Sequence, residues 1–205
     1  MSKTPAGVPR KRGRPPNVVP SEEYRSRLED IVSVAAEVFR SRSYDAATLD
    51  HVAAALGLSK ASLYYYVNKK SDLLRLVFDR AITAALTEVE ALAHITDPRE
   101  RLIALIRHQV RLVLREPSLF AVFFDQRTGL EKSDLAQISL KERRYLRQFV
   151  LAVEAAMAVN AIPQRDPRMV ANSIIGLTSW CYKWFDPRRD SPEEFADICC
   201  ELIVR

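Results

Sequence analysis

Cysteines, glycines and long apolar segments are scarce in this sequence, and each scarcity excludes a class of protein. Only five of the 205 residues are glycine, and only three are cysteine: Cys181, Cys199 and Cys200. So few cysteines, without metal-ligand spacing, predict small buried thiols in a reducing cytoplasm, with a redox sensor as the alternative. No apolar run approaches the roughly 18 residues that span a bilayer, and no apolar stretch follows the basic N-terminus. Neither a membrane protein nor a signal peptide is therefore predicted.

The residue groups of enzymes are missing as well. The three histidines, His51, His94 and His108, are isolated from one another, and no Ser/His/Asp set is present. No glycine-rich loop is available to cradle a phosphate, and no cysteine or histidine spacing suits a metal. The sequence therefore predicts a protein that is not an enzyme and has no cofactor. Few glycines and 48% hydrophobic residues instead favour an all-α fold with a full core.

Positive charge is concentrated at the N-terminus. Residues 1–20 contain five basic residues and no acid, which equals the net charge of +5 of the whole chain, so residues 21–205 are neutral overall. This proline-rich segment has no apolar periodicity and is predicted to be a disordered basic arm. Within it, Arg12-Gly13-Arg14-Pro15 resembles an AT-hook, in which Arg12 and Arg14 enter a narrow A·T minor groove. The alternative is an arm that adds affinity for DNA of any sequence.

Residues 48–67 have the pattern of two short helices joined by a tight turn. Thr48 can cap the first helix and Ser59 the second, because a side-chain oxygen satisfies a free amide of the first turn. Gly57 ends the first helix, where a left-handed backbone favours glycine. The small Ala53 lets the two helices approach, and Leu63 points back at the first helix. These features predict a helix-turn-helix.

The second helix of this motif offers small, hydroxylated and cationic side chains, which suit a DNA groove and its phosphates. The alternative is an ordinary helical hairpin in a core, but three adjacent tyrosines with lysines on both sides argue against it. After Val67, two lysines stand at the start of the next helix, where the helix amides also favour phosphate. The predicted DNA-binding residues are Arg12, Arg14, Thr48, Ser59, Lys60, Ala61, Ser62, Tyr64, Tyr65, Lys69 and Lys70.

Over residues 25–80 the chain resembles the TetR family of bacterial transcriptional repressors. The matching segments are Val34–Phe39, Ala47-Thr48, Val52-Ala53, Leu56-Gly-Leu-Ser59, Leu63–Val67 and Lys70–Leu73. Ser43 stands where the family usually has glycine after its first helix, while Ser62 and Val67 replace the commoner Gly or Thr and Phe. The resemblance implies a homodimer that binds a palindromic operator in double-stranded DNA.

Apolar residues recur at helical spacing along the rest of the chain. Outside the motif, helices are predicted at about 21–40, 70–94, 98–116, 118–129, 133–159, 167–185 and 192–204. The sequence thus predicts an all-α fold of about nine helices in three parts. These parts are a disordered basic arm (1–20), a helix-turn-helix DNA-binding domain (21–70), and a larger helical ligand-binding and dimerisation domain (71–205).

Aromatic residues of the third part suggest an apolar ligand cavity, although a solid core would have the same composition. The predicted ligand-binding residues are Phe120, Phe123, Phe124, Tyr145 and Phe149, with Arg127 meeting an anionic group. The last two helices are too apolar for the surface of a single chain. By the family resemblance they form a four-helix bundle with a second copy, and the predicted interface residues are Ile174, Gly176, Trp180, Trp184, Ile198 and Leu202.

These patterns favour a homodimeric repressor that a small molecule releases from its operator. The segments Trp180–Pro187 and Ser191–Phe195 resemble family members that control lipid, steroid or aromatic-acid breakdown, which implies an acyl-CoA thioester as effector. The alternative is an AT-hook architectural protein that binds DNA and has no ligand. The large apolar body argues for the ligand, because a dimer interface alone needs less apolar surface.

Overall fold

Helix α1 (Glu22–Arg42) begins after Ser21, whose side chain accepts a hydrogen bond from the amide of Tyr24 at 3.1 Å. A computed structural model describes residues 21–205 of the chain. Helix α1 is followed by α2 (Leu49–Ala55) and α3 (Lys60–Tyr64). Residues 21–69, called the head below, share a small core whose fully buried side chains include Ile31, Phe39, Val52 and Leu63.

Side-chain caps determine where the helices of the head begin. Thr48 accepts a hydrogen bond from the amide of His51, and the His51 ring accepts one from the amide of Thr48. Such a reciprocal pair satisfies two amides that the helix leaves free. Ser59 caps α3, and Gly57 takes a φ of +64° in the turn between α2 and α3. The predicted helix-turn-helix is therefore present.

Helix α4 (Lys70–Ala91) leads from the head into the body, residues 70–205. The other helices of the body are α5 (Pro98–Arg115), α6 (Pro117–Asp125), α7 (Lys132–Ala158), α8 (Pro167–Ser179) and α9 (Pro192–Ile203). Short 3₁₀ turns follow α4, α6 and α8, at Leu92–His94, Arg127–Gly129 and Trp180–Lys183. Residues 21–205 thus form nine α-helices and no strand, which confirms the predicted fold class, and the predicted boundary at residue 70 falls in the first turn of α4.

The body is a layered helical bundle. Helix α4 packs against α6 and α7, while α5 packs against α7, α8 and α9. Helices α5, α8 and α9 each begin with a proline that follows a capping Asp or Ser. Proline has no amide hydrogen, and in the first turn of a helix that hydrogen would have no partner within the helix, so proline is well suited to this position. Within residues 21–205, no helix is both long enough and apolar enough to cross a bilayer.

One predicted helix, at 167–185, is shorter in the structure. Helix α8 ends at Ser179, and a 3₁₀ turn continues the chain. The hydroxyl of Thr178 donates to the carbonyl of Ile174 at 2.7 Å, and the thiol of Cys181 donates to the carbonyl of Thr178 at 3.1 Å. Such local side-chain bonds compete with a regular helix, and apolar periodicity does not register them.

The head and the body interlock at the 3₁₀ turn after α6. A Cβ atom on Gly129 would lie 2.5 Å from Cε1 of Tyr44 and 2.7 Å from Cδ2 of Leu74. The Tyr44 ring is itself buried, with its centroid 5.2 Å from that of Phe39 in an edge-to-face arrangement. The head therefore fits against a turn that has room only for glycine.

Candidate DNA-binding surface and ligand cavity

Most of the predicted DNA-binding residues are exposed at the helix-turn-helix. Helix α3 buries Leu63 against α2, so its opposite face projects away from the head. The predicted residues that are exposed, called the DNA-binding surface below, are Thr48, Ser59, Lys60, Ala61, Ser62, Tyr64, Tyr65 and Lys69. Arg12 and Arg14 of the predicted AT-hook lie outside the described residues.

A cluster of three tyrosine rings supports one edge of this surface. Tyr65 is 73% exposed, and its ring meets those of Tyr24 and Tyr66 edge-on at centroid distances of 6.0 and 5.1 Å. Tyr24 and Tyr66 stack on each other at 4.9 Å. The first turn of α1 therefore contacts Tyr65 through Tyr24. Sequence analysis missed Tyr24, because only the folded chain brings α1 next to the end of α3.

Two lysines of the DNA-binding surface form exposed ion pairs within the protein. Lys60 donates to Asp50 at 2.9 Å, and Lys69 donates to Glu131. Hydrogen bonds to these carboxylates raise the pKa of both lysines, so both stay cationic at neutral pH. Exposed pairs of this kind contribute little to stability, so both ammonium groups remain available to a phosphate.

Lys70 was predicted to bind DNA, and the structure gives it a different place. Its ammonium donates to the backbone carbonyls of Tyr44, Asp45 and Ala47, at 2.7, 3.2 and 3.0 Å. An ammonium group has three donors, and these bonds use all of them. The prediction for Lys70 is therefore wrong: this side chain fastens the loop between α1 and α2 to the start of α4.

The body contains a cavity of about 250 Å³ between α4, α5, α6, α7 and α8. Four predicted ligand-binding residues line it, namely Phe120, Phe123, Phe124 and Tyr145. Phe149 is fully buried behind Tyr145 and does not reach the cavity, so that prediction is wrong. The remaining lining is mostly aliphatic and consists of Ala81, Ile82, Ala85, Gln109, Leu112, Glu142, Leu146, Asn172 and Ile175.

A short chain of uncharged polar groups crosses one wall of this cavity. The hydroxyl of Tyr145 donates to the side-chain oxygen of Gln109. The side-chain nitrogen of Gln109 in turn donates to the hydroxyl of Ser179 at 2.9 Å. All three residues are buried. Burial raises the pKa of Tyr145, so its phenol stays protonated. Sequence analysis missed Gln109, because a polar residue on an apolar helix face looks like an interruption until its partners are known.

Arg127 does not line the cavity but binds a residue that does. Its guanidinium donates twice to the carboxylate of Glu142, once at 3.1 Å and once at a shorter distance. The side chains of Arg127 and Glu142 are 40% and 28% exposed, which places the pair at the rim. Arg127, which was predicted to meet an anionic group of the ligand, is instead paired with a carboxylate of the protein and lies outside the cavity lining.

Several exposed large apolar side chains lie on α8, at the 3₁₀ turn that follows it, and on α9. Of the predicted dimer-interface residues, Trp180, Trp184, Ile198 and Leu202 are 46–70% exposed, and Gly176 is exposed with open space around it. Met169 and Leu177 of α8 are exposed as well and were not predicted. Ile174 is only 1% exposed and belongs to the core of the body, so its assignment to an interface is wrong.

Two family models match separate segments of the chain. The family described as bacterial regulatory proteins, tetR family, matches residues 31–77, and the tetracyclin repressor-like C-terminal domain matches residues 96–205. The fold and its surface thus define a helix-turn-helix transcriptional regulator with a helical regulatory body. The chain belongs to the TetR family. Members of this family are regulators of transcription, which confirms the prediction that the protein is not an enzyme.

Individual relatives differ in how much of their length this chain covers. The HTH-type transcriptional activator FasR of Mycolicibacterium smegmatis is 30% identical over 139 residues, which are 67% of this chain but only 60% of FasR. An uncharacterized HTH-type regulator of Mycobacterium tuberculosis is 27% identical over 178 residues, 85% of this chain and 82% of that protein. AibR, in complex with isovaleryl coenzyme A and operator DNA, superposes with a TM-score of 0.79 at 27% identity, over 86% of this chain and 97% of AibR.

Proposed function

We propose that this protein is a cytoplasmic, homodimeric repressor that binds a palindromic operator and leaves it when a small apolar or acyl-CoA-type compound fills the cavity. The observation that carries the proposal is the position of α6. Its phenylalanines line the cavity, and the same helix packs against α1 of the head. A ligand in the cavity would therefore act on an element that contacts the DNA-binding part directly.

The DNA-binding half of the proposal rests on the exposed residues of α3. Lys60 and Tyr64 project from this helix, and the Lys60 ammonium lies 5.9 Å from the centroid of the Tyr64 ring. If Lys60 contacts a base, Lys60→Ala weakens binding to the operator more than binding to other DNA. If Lys60 contacts a phosphate, affinity falls equally on all sequences, and the slope of log affinity against log salt concentration falls by about one. If the double variant Lys60→Ala/Tyr64→Ala keeps the operator affinity of the unmodified protein, the assignment of these two residues to the DNA contact is wrong.

The dimer supplies the second recognition helix. Two such helices in a dimer would reach successive major grooves roughly 34–36 Å apart, so the operator would be an inverted repeat. A charge at Leu202, which is 70% exposed on α9, would have to be buried in the proposed interface. We expect Leu202→Glu to give a monomer by light scattering. Leu140→Glu is the control, since Leu140 is similarly exposed but lies on α7, and it should remain dimeric.

The effector class is supported by the apolar lining and by AibR, which was crystallised with isovaleryl coenzyme A. To release the operator, a ligand must bind the DNA-incompetent state more tightly than the DNA-bound state. The test is a titration of acyl-CoA thioesters of increasing chain length against the protein on DNA that it has selected from a random pool. At least one thioester should dissociate the complex. If none alters DNA affinity and native mass spectrometry detects no co-purifying compound, ligand control is refuted.

The proposal also states that the protein represses transcription. This part needs its own test, because the relative FasR bears the name of an activator. Release by a ligand would allow transcription only if the bound protein blocks it. In vitro transcription from a promoter that overlaps the selected operator should fall when the protein is added and recover with the effector. A rise on addition of the protein would reassign it as an activator without affecting its DNA binding.

The basic arm of residues 1–20 is proposed to add DNA contacts from outside the described residues. Deleting it should lower DNA affinity and weaken its salt dependence, because the arm carries five of the positive charges. Gly13→Leu separates the two interpretations of the arm, since it keeps the charge but blocks close approach to a minor groove. A hook loses affinity for A·T-flanked operators in this variant, whereas a plain electrostatic arm loses none. The cavity favours a ligand-controlled regulator over a purely architectural protein.

A further inference from the structure

We infer that the cavity selects an uncharged group, so that the protein responds to the ester, thioester or amide form of a small acid and not to the free carboxylate. This inference rests on the proposed ligand-controlled function and narrows the chemistry of its effector. It follows from three properties of the cavity: its size, the uncharged polar chain in its wall, and the ion pair at its rim.

The size of the cavity limits what can be enclosed. A cavity of roughly 150 Å³ holds a benzene molecule, so by proportion the 250 Å³ here hold about ten non-hydrogen atoms. An acyl chain or a single ring with its carbonyl group fits this volume. A whole coenzyme A does not, so its nucleotide would have to stay outside while the acyl part and the thioester enter.

The polar chain in the wall offers hydrogen bonds without charge. Tyr145 donates its only proton to Gln109, and one of the two Gln109 N–H groups is taken by Ser179. The second N–H of Gln109 remains available as a donor, and the phenol oxygen of Tyr145 remains available as an acceptor. A neutral carbonyl can accept from Gln109, and an amide can also donate to Tyr145. A carboxylate would find no cation in this wall.

The rim contributes a carboxylate that is already neutralised. Glu142 is the only Asp, Glu, Lys, Arg or His among the described residues that line the cavity, and both of its side-chain oxygens accept hydrogen bonds from Arg127. An anionic ligand would have to approach Glu142 or take Arg127 from it. Either event leaves one carboxylate without its partner at a partly desolvated site, which is unfavourable. A neutral ligand disturbs neither group.

The test compares compounds that share one carbon skeleton and differ only in the head group. Carboxylates, primary amides, primary amines and N-acetylcysteamine thioesters, each with about four to ten carbons, are titrated into the full-length protein by calorimetry at neutral pH. For the chain lengths that bind, we expect the amide and the thioester to bind at least about tenfold more tightly than the carboxylate and the amine. Equal or tighter binding of the carboxylate or the amine overturns the inference and leaves the proposed regulatory function intact.

The variant Glu142→Gln makes the test specific to the rim. It keeps the shape of the side chain but frees the charge of Arg127, so carboxylates should gain about tenfold in affinity while amides change little. Glu154→Gln, at an exposed glutamate of the same helix, is the control and should leave all four affinities unchanged. If Glu142→Gln leaves the preference for amides as it was, the ion pair at the rim does not contribute to it, and that premise of the inference is refuted. If no compound of any head group binds the unmodified protein, the proposed ligand control fails together with it.

Discussion

Arg80 of α4 donates hydrogen bonds to Glu116 at 2.5 Å and to Ser33 at 2.6 Å, so one guanidinium joins the start of α6 to helix α1. It also donates to the backbone carbonyl of Glu29 at 3.1 Å. The Arg80 and Glu116 side chains are less than a third exposed. A single half-buried cation therefore connects the helix that carries the cavity phenylalanines with the head and with α4.

Removing this cation should destabilise the protein. Arg80→Gln leaves Glu116 without its partner in a half-buried place, and we expect the free energy of unfolding to fall by about 1–3 kcal/mol, as for the loss of a hydrogen bond to a charged group. Urea denaturation of the purified protein measures this change. Arg147→Gln, at an exposed arginine of α7, serves as the control and should have no measurable effect. An Arg80 variant as stable as this control would show that the connection is not stabilising.

Two neighbouring lysines should give opposite results when each is changed to methionine. Lys70→Met removes the three bonds to the α1–α2 loop and should lower the free energy of unfolding by about 1–3 kcal/mol. Lys69→Met should leave stability unchanged but reduce the slope of log affinity for DNA against log salt by about one, as expected for the loss of a phosphate contact. If Lys70→Met alters the salt slope instead of stability, the assignment of its ammonium to the loop is wrong.

Ser43 stores backbone strain that glycine would relieve. It takes φ +61° and ψ 154° directly after α1, a combination that essentially only glycine adopts without strain. We therefore expect Ser43→Gly to raise the free energy of unfolding by about 1 kcal/mol. Ser41→Gly is the matched control, since Ser41 lies inside the last turn of α1, where glycine costs about 0.5–1 kcal/mol. In thermal or urea unfolding, the free energy of unfolding should rise for Ser43→Gly and fall for Ser41→Gly.

His108 should make the protein sensitive to mild acid. Burial lowers its pKa below the ordinary value of 6.5, with Arg115 and Arg111 adding to the shift and Glu88 opposing it. Its Nε2 atom is buried without a hydrogen-bond partner. Because the unfolded chain takes up the proton more readily, stability present above pH 6.5 is lost as the pH falls below that value.

The variant His108→Leu should weaken this pH dependence. Unfolding experiments between neutral pH and about pH 5 should show a smaller loss of stability in the variant than in the unmodified protein. His94→Leu is the control, because His94 is exposed and should keep the full acid sensitivity. An identical pH dependence in the His108 variant and the unmodified protein would place the acid-sensitive group elsewhere.

The head was largely predictable from the sequence because its signals are local. Thr48 and Ser59 cap helices within three residues of themselves, and Gly57 marks a turn by its own backbone conformation. Lys69 and Lys70 show where such reasoning ends. The two lysines are equivalent in the sequence, and only the return of the α1–α2 loop to the start of α4 separates an exposed cation from a structural one.

The body was predictable as a set of helices but not as a set of contacts. Apolar periodicity gave the helices, yet it could not distinguish Phe123, which lines the cavity, from Phe149, which is packed behind it. It also could not tell Ile174 in the core from Trp180 on the surface, because both belong to one strongly apolar helix region. These distinctions depend on which helix covers which face, and that is decided by long-range packing.

The close fit of Gly129 against the Tyr44 ring limits how heads and bodies of such regulators can be interchanged. A chimera that grafts a different head onto this body would place a new side chain where Tyr44 now fills the space above the turn. A body with any other residue at this turn would in turn collide with the present head. Engineered proteins that combine a different DNA-binding head with this body would therefore need to exchange positions 44 and 129 as a unit.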